Sequence, residues 1–319
     1  YMHGGAQVVG LSVDHNCILC CGSDGLGNSG NPGVGGGVAV VGGVASLASV
    51  SVTHNTAPCA ATPCAGAGLA LTSAAVVVPT NLTVSFNTIT GGYGGGVAVL
   101  SDSVFQGGSG QGVYIQDNVA VDGCGGGMSV ADGAVVVDVD VVQNRVMVAT
   151  TDSSSSSIVG GGGVCLSSGE ATLRNVIVES NTASSCSGGG VLVAPHCRLH
   201  HAGRVSLNVA AGGGGVSALL NATYAGLDGT VLVTANSADD TTASIPSPAA
   251  TGVGGGVLCM SCDRLSHIVV ADNVGGFGGG IGVLRDAVDD STAEVLDSAA
   301  RNNTAHVAGG GVYVAGTSV

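Results

Sequence analysis

Two aspartates, Asp138 and Asp140, stand two residues apart in an alternating apolar segment and are the first candidates for catalysis. Inverting glycoside hydrolases hold two carboxyl groups about 6.5–9.5 Å apart. Residues i and i+2 of one strand face are about 6.7 Å apart along the strand, so this pair has a suitable spacing. Two further pairs are adjacent in the chain: Asp239-Asp240 and Asp289-Asp290. Such pairs are nevertheless more typical of a hydrated surface.

The residues around these carboxylates do not complete an active site. The chain contains no Lys and only seven Arg, and its formal net charge is −14. A polysaccharide lyase would therefore need an Arg base on an acidic surface, which repels an acidic polymer. The pair His200-His201 is isolated and is expected at a corner. We expect a non-catalytic protein with no catalytic residue and no cofactor.

Two Cys-x-x-Cys motifs could bind zinc or form local disulfides. They are Cys17-Ile-Leu-Cys20 and Cys259-Met-Ser-Cys262. A structural zinc ion needs four ligands in one place, and these motifs lie near opposite ends of the sequence. We therefore expect no metal site and favour a local disulfide between Cys259 and Cys262. Eleven cysteines in the chain indicate an oxidising compartment.

Three sequons could accept N-linked glycans in a eukaryotic host. They begin at Asn81, Asn221 and Asn302. Asn221 and Asn302 lie in loop-like sequence, and Asn81 follows Pro79 before an apolar segment. All three are expected at surface corners.

A repeated unit of an Asn, a short connector, a glycine triplet and an apolar strand runs along the chain; Asn87 to Val99 is one example. The Asn positions of this unit are Asn16, Asn55, Asn87, Asn118, Asn144, Asn181, Asn208, Asn236, Asn273 and Asn303. The residues that follow the glycine blocks are Val38, Leu69, Val97, Met128, Val164, Val191, Val216, Val257, Ile281 and Val312. The two sets alternate without a skip, which is the signature of a repeat architecture.

The repeats consist of short strands and tight corners. Apolar residues alternate with a period of two, as in Val135 to Val141, and valine suits a pleated sheet. Repeats of about 25–40 residues are too short for four-stranded propeller blades. We therefore predict one all-β domain over 1–319, a parallel β-helix of about ten coils. The Asn side chains should form a hydrogen-bonded ladder and tolerate the left-handed corner conformation, and the glycines should allow close backbone approach.

Four corners after the Asn are enlarged, at 17–33, 56–65, 145–159 and 237–253. Since each follows the same position of the repeat, all four should project from one edge of the rod. They are interpreted as surface loops, with a binding or assembly edge as the functional alternative. Their Ser, Thr and Pro content could also accept O-linked glycans.

Stacking limits which cysteines can form disulfides. Neighbouring coils are about 4.8 Å apart, which fits a disulfide, whereas coils two apart are too distant. Cys20 or Cys21 could pair with Cys59 in the next coil, and Cys59 with Cys64 is the local alternative. By the same rule Cys165 with Cys197 is a weak candidate, and Cys124 should not pair with Cys186. The odd number of cysteines leaves at least one free or intermolecular thiol.

Composition excludes several partners. A net charge of −14 disfavours nucleic acid and anionic membranes, because both need basic contacts. No uninterrupted apolar run is long enough for a transmembrane helix. Polar end caps, which solenoids normally need, are not evident, so the domain is expected to belong to a longer chain or an assembly.

The repeat resembles that of the polymorphic outer-membrane proteins of chlamydiae, in which Gly-Gly-Ala-Ile alternates with Phe-x-x-Asn. Gly278-Gly279-Gly280-Ile281 is the nearest match to the first block, and Val84-Ser85-Phe86-Asn87 is near the second. The resemblance covers almost the whole chain. It implies a right-handed, surface-exposed and often adhesive β-helix, and it carries over no catalytic residue.

These observations favour an extracellular or cell-surface structural protein, a subunit of an appendage, filament or surface layer. Its partners would be copies of itself or other surface proteins, joined end to end. The alternative is an adhesin-like module that binds a glycan or protein through the insertion-loop edge. A polysaccharide-degrading enzyme is the least favoured hypothesis.

Overall fold

A computed structural model describes residues 6–17, 33–59, 64–108, 110–149, 159–227, 229–238, 252–285 and 292–316. All regular structure within these ranges is β-strand, and the strands pair in parallel across three main sheets. The predicted all-β parallel β-helix is therefore confirmed.

Each strand of sheet 1 begins directly after a glycine block. Its strands are Val38–Val41, Leu69–Thr72, Val97–Val99, Met128–Ala131, Val164–Ser168, Val191–Val193, Val216–Ala218, Val257–Met260, Ile281–Arg285 and Val312–Gly316. The predicted apolar anchors are in register, since Val97 pairs with Leu69 on one side and with Met128 on the other.

Sheet 2 forms the long side of the molecule and is bent within several strands. Its strands are Ala6–Val9, Ser12–Asp14, Val44–Thr53, Val76–Ser85, Val104–Gln106, Val113–Gln116, Ala134–Val142, Glu170–Glu179, Arg198–Ser206, Thr223–Gly226, Val231–Thr234, Arg264–Ser266, Ile268–Ala271, Glu294–Leu296 and Ala299–Arg301. The bends lie at residues with positive φ, including Asn81, Asp138 and Asn175.

Sheet 3 follows the repeated Asn positions. Its strands are Thr56–Pro58, Thr88–Thr90, Val119–Val121, Arg145–Met147, Thr182–Ser187, Val209–Gly212, Ser237–Ala238, Val274–Phe277 and Thr304–Ala308. A separate pair of short strands joins Gly33–Val34 to Cys64–Ala65.

The core is a narrow column of aliphatic side chains. Alternate residues of sheet 2, such as Leu173, Val176 and Val178, are fully buried and stack on equivalent residues of the neighbouring strands. Full burial of one such side chain stabilises the fold by about 1.5–3 kcal/mol. Phe105 and Tyr224 are the largest exceptions to the aliphatic rule among the fully buried residues. The core thus has the composition that the aromatic-poor sequence predicts.

The ten predicted Asn residues form one continuous ladder. In every step, the backbone N–H and the Nδ2 of one Asn both donate to the Oδ1 of the next, at 2.8–3.0 Å. The interior members, from Asn55 to Asn273, are at most 1 % exposed. Their polar side chains are stable in the interior because each makes several hydrogen bonds there.

The left-handed corner residue is the one before each Asn, and this corrects the prediction that the Asn itself adopts that conformation. The φ angles at this position lie between 52° and 57° in His15, His54, Phe86, Asp117, Gln143, Ser180, Leu207, Ala235, Asp272 and Asn302. The division has a physical reason. The left-handed residue turns the chain and points outward, so that the next side chain enters the interior and can join the ladder.

The glycine triplets serve two purposes, as the fourth glycine block, Gly125-Gly126-Gly127, illustrates. Gly125 has φ +73°, a conformation that a side chain disfavours. Gly127 lies against the ladder instead, since a Cβ there would stand 2.7 Å from both Asn144 Nδ2 and Val141 Cγ1. The triplet therefore turns the chain and then lets the backbone pass beside the Asn side chain.

The predicted insertion loops are shorter than expected, because their described ends belong to strands. Thr56–Pro58, Cys64–Ala65, Arg145–Met147 and Ser237–Ala238 are strands rather than loop. Residues 18–32, 60–63, 150–158 and 239–251 of these insertions lie outside the described residues. None of the structure that is described forms a helix that could cross a membrane.

Candidate functional site

A groove of about 350 Å³ lies on the outer face of sheet 2. It is lined by the side chains of Glu170, Arg198, His200, Thr223, Asp263 and Arg264. Four of them occupy one column, because Glu170 pairs with Arg198, Arg198 with Thr223 and Thr223 with Arg264 across successive strands. The parallel register thus brings together residues that are far apart in the sequence.

Most polar groups of the groove are paired. Arg264 donates to Glu294 Oε2 through Nε at 3.1 Å and through Nη2 at 2.8 Å. His200 Nε2 lies 3.3 Å from Glu170 Oε1, and Thr223 Oγ1 donates to Asp263 at 3.3 Å.

Arg198 is the exception. It is exposed and forms no ion pair with any residue that the structure describes. Its guanidinium is a planar set of donors, which suits hydroxyl or carboxylate oxygens of a ligand. The groove therefore presents one available cation among paired charges.

A buried histidine lies directly beneath this surface. Along Arg198–Ser206 the side chains alternate, so that Arg198 faces out while Leu199 and His201 face the core. His201 Nε2 is 3.0 Å from the carbonyl oxygen of Val176, and Nδ1 is 2.8 Å from the hydroxyl of Tyr224. Because a carbonyl can only accept, Nε2 carries the proton and Nδ1 accepts from Tyr224. The arrangement holds a neutral imidazole in the core.

Burial shifts the titration of both groups. Desolvation lowers the pKa of His201 to about 4, and the hydrogen bond to Val176 opposes part of that effect. Desolvation also raises the pKa of Tyr224. The expectation that His200-His201 forms a corner is wrong, since both residues lie within a strand. Leu199 and His201 alternate with polar residues, which is a strand pattern. The two adjacent histidines concealed this pattern in the sequence.

Of the three predicted carboxylate pairs, the structure describes Asp138 and Asp140. Asp138 lies at a bend with φ 55° and accepts a 2.6 Å hydrogen bond from Asn175 Nδ2. Desolvation, followed by the charge of Glu179, raises the pKa of Asp140. Asp239-Asp240 and Asp289-Asp290 lie outside the described residues.

The two carboxylates of the groove come from well-separated layers of the stack. Glu170 begins one strand and Asp263 directly precedes the strand Arg264–Ser266, and these strands are three spacings apart, about 14 Å along the stack. That distance exceeds the carboxyl separation of both retaining and inverting glycosidases.

Two of the predicted disulfides are present. Cys59 pairs with Cys64, the local alternative, at a Cα separation of 5.6 Å, and Cys259 pairs with Cys262 at 5.2 Å. The alternative partner of Cys59 across coils is therefore not used. Cys20 and Cys21 lie outside the described residues.

A third disulfide, between Cys124 and Cys165, was not predicted. Their Cα atoms are 5.7 Å apart, and both side chains are buried with Leu192 against the outer face of sheet 1. Cys124 immediately precedes one glycine triplet, and Cys165 lies two residues after the next. Because the two cysteines lie at different offsets from their triplets, the repeat spacing does not predict this pair. Cys17 is exposed and Cys197 is buried, and neither forms a disulfide with a described residue.

The three sequons begin at left-handed positions of the backbone. Asn81, Asn221 and Asn302 have φ angles of 52°, 53° and 53°. Asn81 and Asn302 are exposed, whereas Asn221 is half-buried. Asn221 and Asn302 occupy turns, as expected, whereas Asn81 lies within the strand Val76–Ser85 at its bend rather than at a corner. Asn81 and Asn302 are the more accessible acceptors.

A cluster of possible metal ligands stands near the first described strands. Asp14, His15 and His54 place one ligand atom each within 4.8 Å of the others. It combines residues of two successive coils, whereas the groove spans four strands of the stack, and it was not predicted from the sequence.

Comparison of the chain with protein-family models, with curated proteins and with solved structures found no match. The function is therefore argued from the geometry of the ladder, the stack and the groove.

Proposed function

We propose that this chain is a non-catalytic structural protein of the cell surface or extracellular space, in which stacked coils form a stiff rod. The observation that carries the proposal is the unbroken, buried Asn ladder. It joins every repeat to the next by paired hydrogen bonds along a single axis, so that bending or stretching the rod disturbs many bonds at once. Disulfides in three places support an oxidising location.

The last described layer of the stack supports assembly along the axis. Val312 and Val314 pair with the core residues Ile281 and Val283, which are 2 % and 6 % exposed. Val312 and Val314 themselves are 49 % and 66 % exposed, because their strand is the edge of sheet 1 among the described residues. An open sheet edge with apolar side chains is a template for further strands. We infer that another coil, from a second copy or from other β-structure, stacks on this layer.

Sedimentation velocity and negative-stain electron microscopy test this assignment. The protein should form rods whose length increases with concentration. Val314→Lys should keep the rods short, because a charge in the stacking layer opposes burial. Val78→Lys is the matched control, since Val78 is an exposed valine on the side of the rod. Short monodisperse particles at all concentrations, or equal effects of both variants, would contradict stacking.

The groove favours a second function, recognition of a glycan. Its charged and hydroxyl side chains can hydrogen-bond sugar hydroxyls, and Arg198 is available as a further donor to them. This site lies on sheet 2 rather than on the insertion-loop edge. A glycan array would test it with Arg198→Gln and the control Arg174→Gln, which removes the same charge outside the groove. Binding that survives only in the control supports the groove, and binding that both variants retain excludes it.

A further inference from the structure

We propose that His15, His54 and Asp14 form a binding site for a divalent transition-metal ion of the zinc class. The three side chains are exposed and come from two successive coils. Asp14 uses both carboxylate oxygens: Oδ2 lies 2.9 Å from His15 Nδ1, and Oδ1 lies 3.1 Å from His54 Nδ1. Two imidazole nitrogens therefore converge on one carboxylate.

The β-helix itself creates this convergence. His15 and His54 occupy the left-handed position before consecutive ladder residues, with φ angles of 54° and 52°. Their side chains therefore leave the backbone in the same direction, one coil apart. The imidazole rings stack at a centroid distance of 4.9 Å with 8° between their planes. Stacking gives both rings the same orientation, with Nδ1 of each toward Asp14.

Neighbouring side chains hold the ligands in place. Phe86 occupies the same corner position in the next coil and stacks on His54 at 5.2 Å and 12°. Thr53 Oγ1 donates to Asp14 Oδ1 at 3.0 Å. Partners of this kind fix the orientation of metal ligands and increase affinity. The corner position carries no further histidine in the coils after Phe86, so the cluster is confined to this part of the rod.

The ligand chemistry selects the class of ion. Neutral imidazole and carboxylate bind Zn²⁺, Ni²⁺ and Cu²⁺, whereas Ca²⁺ and Mg²⁺ prefer oxygen ligands alone. In a tetrahedral zinc site, bonds of about 2.0–2.2 Å place ligand atoms about 3.4 Å apart. The two nitrogen–oxygen distances, 2.9 and 3.1 Å, are close to that value. All three ligand atoms lie within 4.8 Å of one another, so the ion is admitted when the two imidazole nitrogens tilt toward each other.

Metal binding changes the tautomer of the two imidazoles and involves no redox step. In the ion-free form, each Nδ1–H donates to the carboxylate of Asp14. To bind the ion, each imidazole presents the Nδ1 lone pair and carries its proton on Nε2 instead, so neutral rings release no net proton. The carboxylate then donates its lone pair to the ion, and water completes the coordination. The net charge of −14 favours the approach of a cation.

Isothermal titration of the full chain with Zn²⁺ tests the proposal. Thiols are first blocked with N-ethylmaleimide, so that Cys17 and other free cysteines cannot bind the ion. We expect one equivalent of Zn²⁺ to bind with a Kd on the order of 10 µM, released by EDTA. Nuclear magnetic resonance should show shifts in the ring signals of His15 and His54. Absence of saturable binding in the blocked protein would overturn the proposal.

Variants separate this site from general binding to surface histidines. His54→Ala should weaken Zn²⁺ binding by at least about 10–100-fold. His267→Ala is the matched control, because His267 is a similarly exposed histidine paired with Asp297 at 3.7 Å. Asp14→Asn preserves shape and serves as a second variant if His54→Ala fails to fold. Equal losses in the control and in either site variant would refute the assignment.

Discussion

The Asn ladder makes a quantitative prediction at Asn144, a central member that is 1 % exposed. Its Oδ1 accepts from Asn118 N and Asn118 Nδ2, both at 3.0 Å. Its Nδ2 donates to Asn181 Oδ1 at 3.0 Å, to Ile115 O at 2.8 Å and to Val142 O at 3.0 Å. Asn144→Ala removes all five hydrogen bonds.

The loss of stability in Asn144→Ala depends on which buried polar groups lose their last hydrogen-bond partner. Asn118 Nδ2 keeps the carbonyls of Val84 and Gln116, and Asn181 Oδ1 keeps the backbone N–H of residue 144. The buried N–H of Asn118 loses its ladder acceptor, which costs about 2 kcal/mol. The net loss of the remaining bonds adds about 1 kcal/mol. We expect Asn144→Ala to lower the free energy of unfolding by about 3 kcal/mol.

Asn16→Ala is the matched control because Asn16 is an exposed member of the same ladder. Its backbone N–H still donates to Asn55 after the substitution, so no buried group loses its partner. We expect a loss below about 1 kcal/mol. Asn144→Asp should be worse than Asn144→Ala at neutral pH, since it turns an oxygen toward three carbonyl oxygens and buries a charge.

Urea unfolding with linear extrapolation measures these differences. Hydrogen exchange of peptides that span residues 113–147 locates the loss, because each coil of a solenoid contacts only its neighbours. Exchange should accelerate in this region for Asn144→Ala and remain slow elsewhere. If Asn144→Ala and Asn16→Ala destabilise the protein equally, the ladder does not stabilise the core as argued.

Three further predictions address the core, a corner and a crosslink. His201 is neutral in the fold because its pKa is about 4, so the free energy of unfolding should be greatest above about pH 6.5. It should fall by about 3 kcal/mol as the pH falls to about 4, and level off at lower pH. Urea unfolding at a series of pH values should show a weaker dependence of this free energy on pH for His201→Gln. Gly127→Ala should lower the free energy of unfolding by about 1–3 kcal/mol, because the new Cβ overlaps Asn144. Gly311→Ala is the control: no atom lies within 4 Å of a Cβ built there, so thermal unfolding should change little. Replacing Cys124 and Cys165 by serine should cost about 4 kcal/mol, since the crosslink closes a 41-residue separation, and non-reducing peptide mapping should identify the linked pair.

The sequence alone determined the repeat and its consequences. The regular alternation of Asn and glycine triplets predicted the parallel stack, and the anchors Leu69, Val97 and Met128 pair as expected. This succeeded because each coil contacts only its neighbours, so one repeat in the sequence specifies one layer of structure. The ladder followed for the same reason, since equivalent residues of stacked coils must meet.

Only the tertiary structure decided which residues meet across coils of unequal length. Insertions between repeats hide the register, so the groove around Arg198 is not visible as a sequence spacing. His15 and His54 each precede a ladder Asn in the sequence, but only the structure shows that both rings contact Asp14. The disulfide of Cys124 and Cys165 crosses a glycine triplet, where distance along the chain does not measure distance in space. The repeat thus fixes the layers, whereas the lateral position of each side chain depends on how the corners between the layers fold.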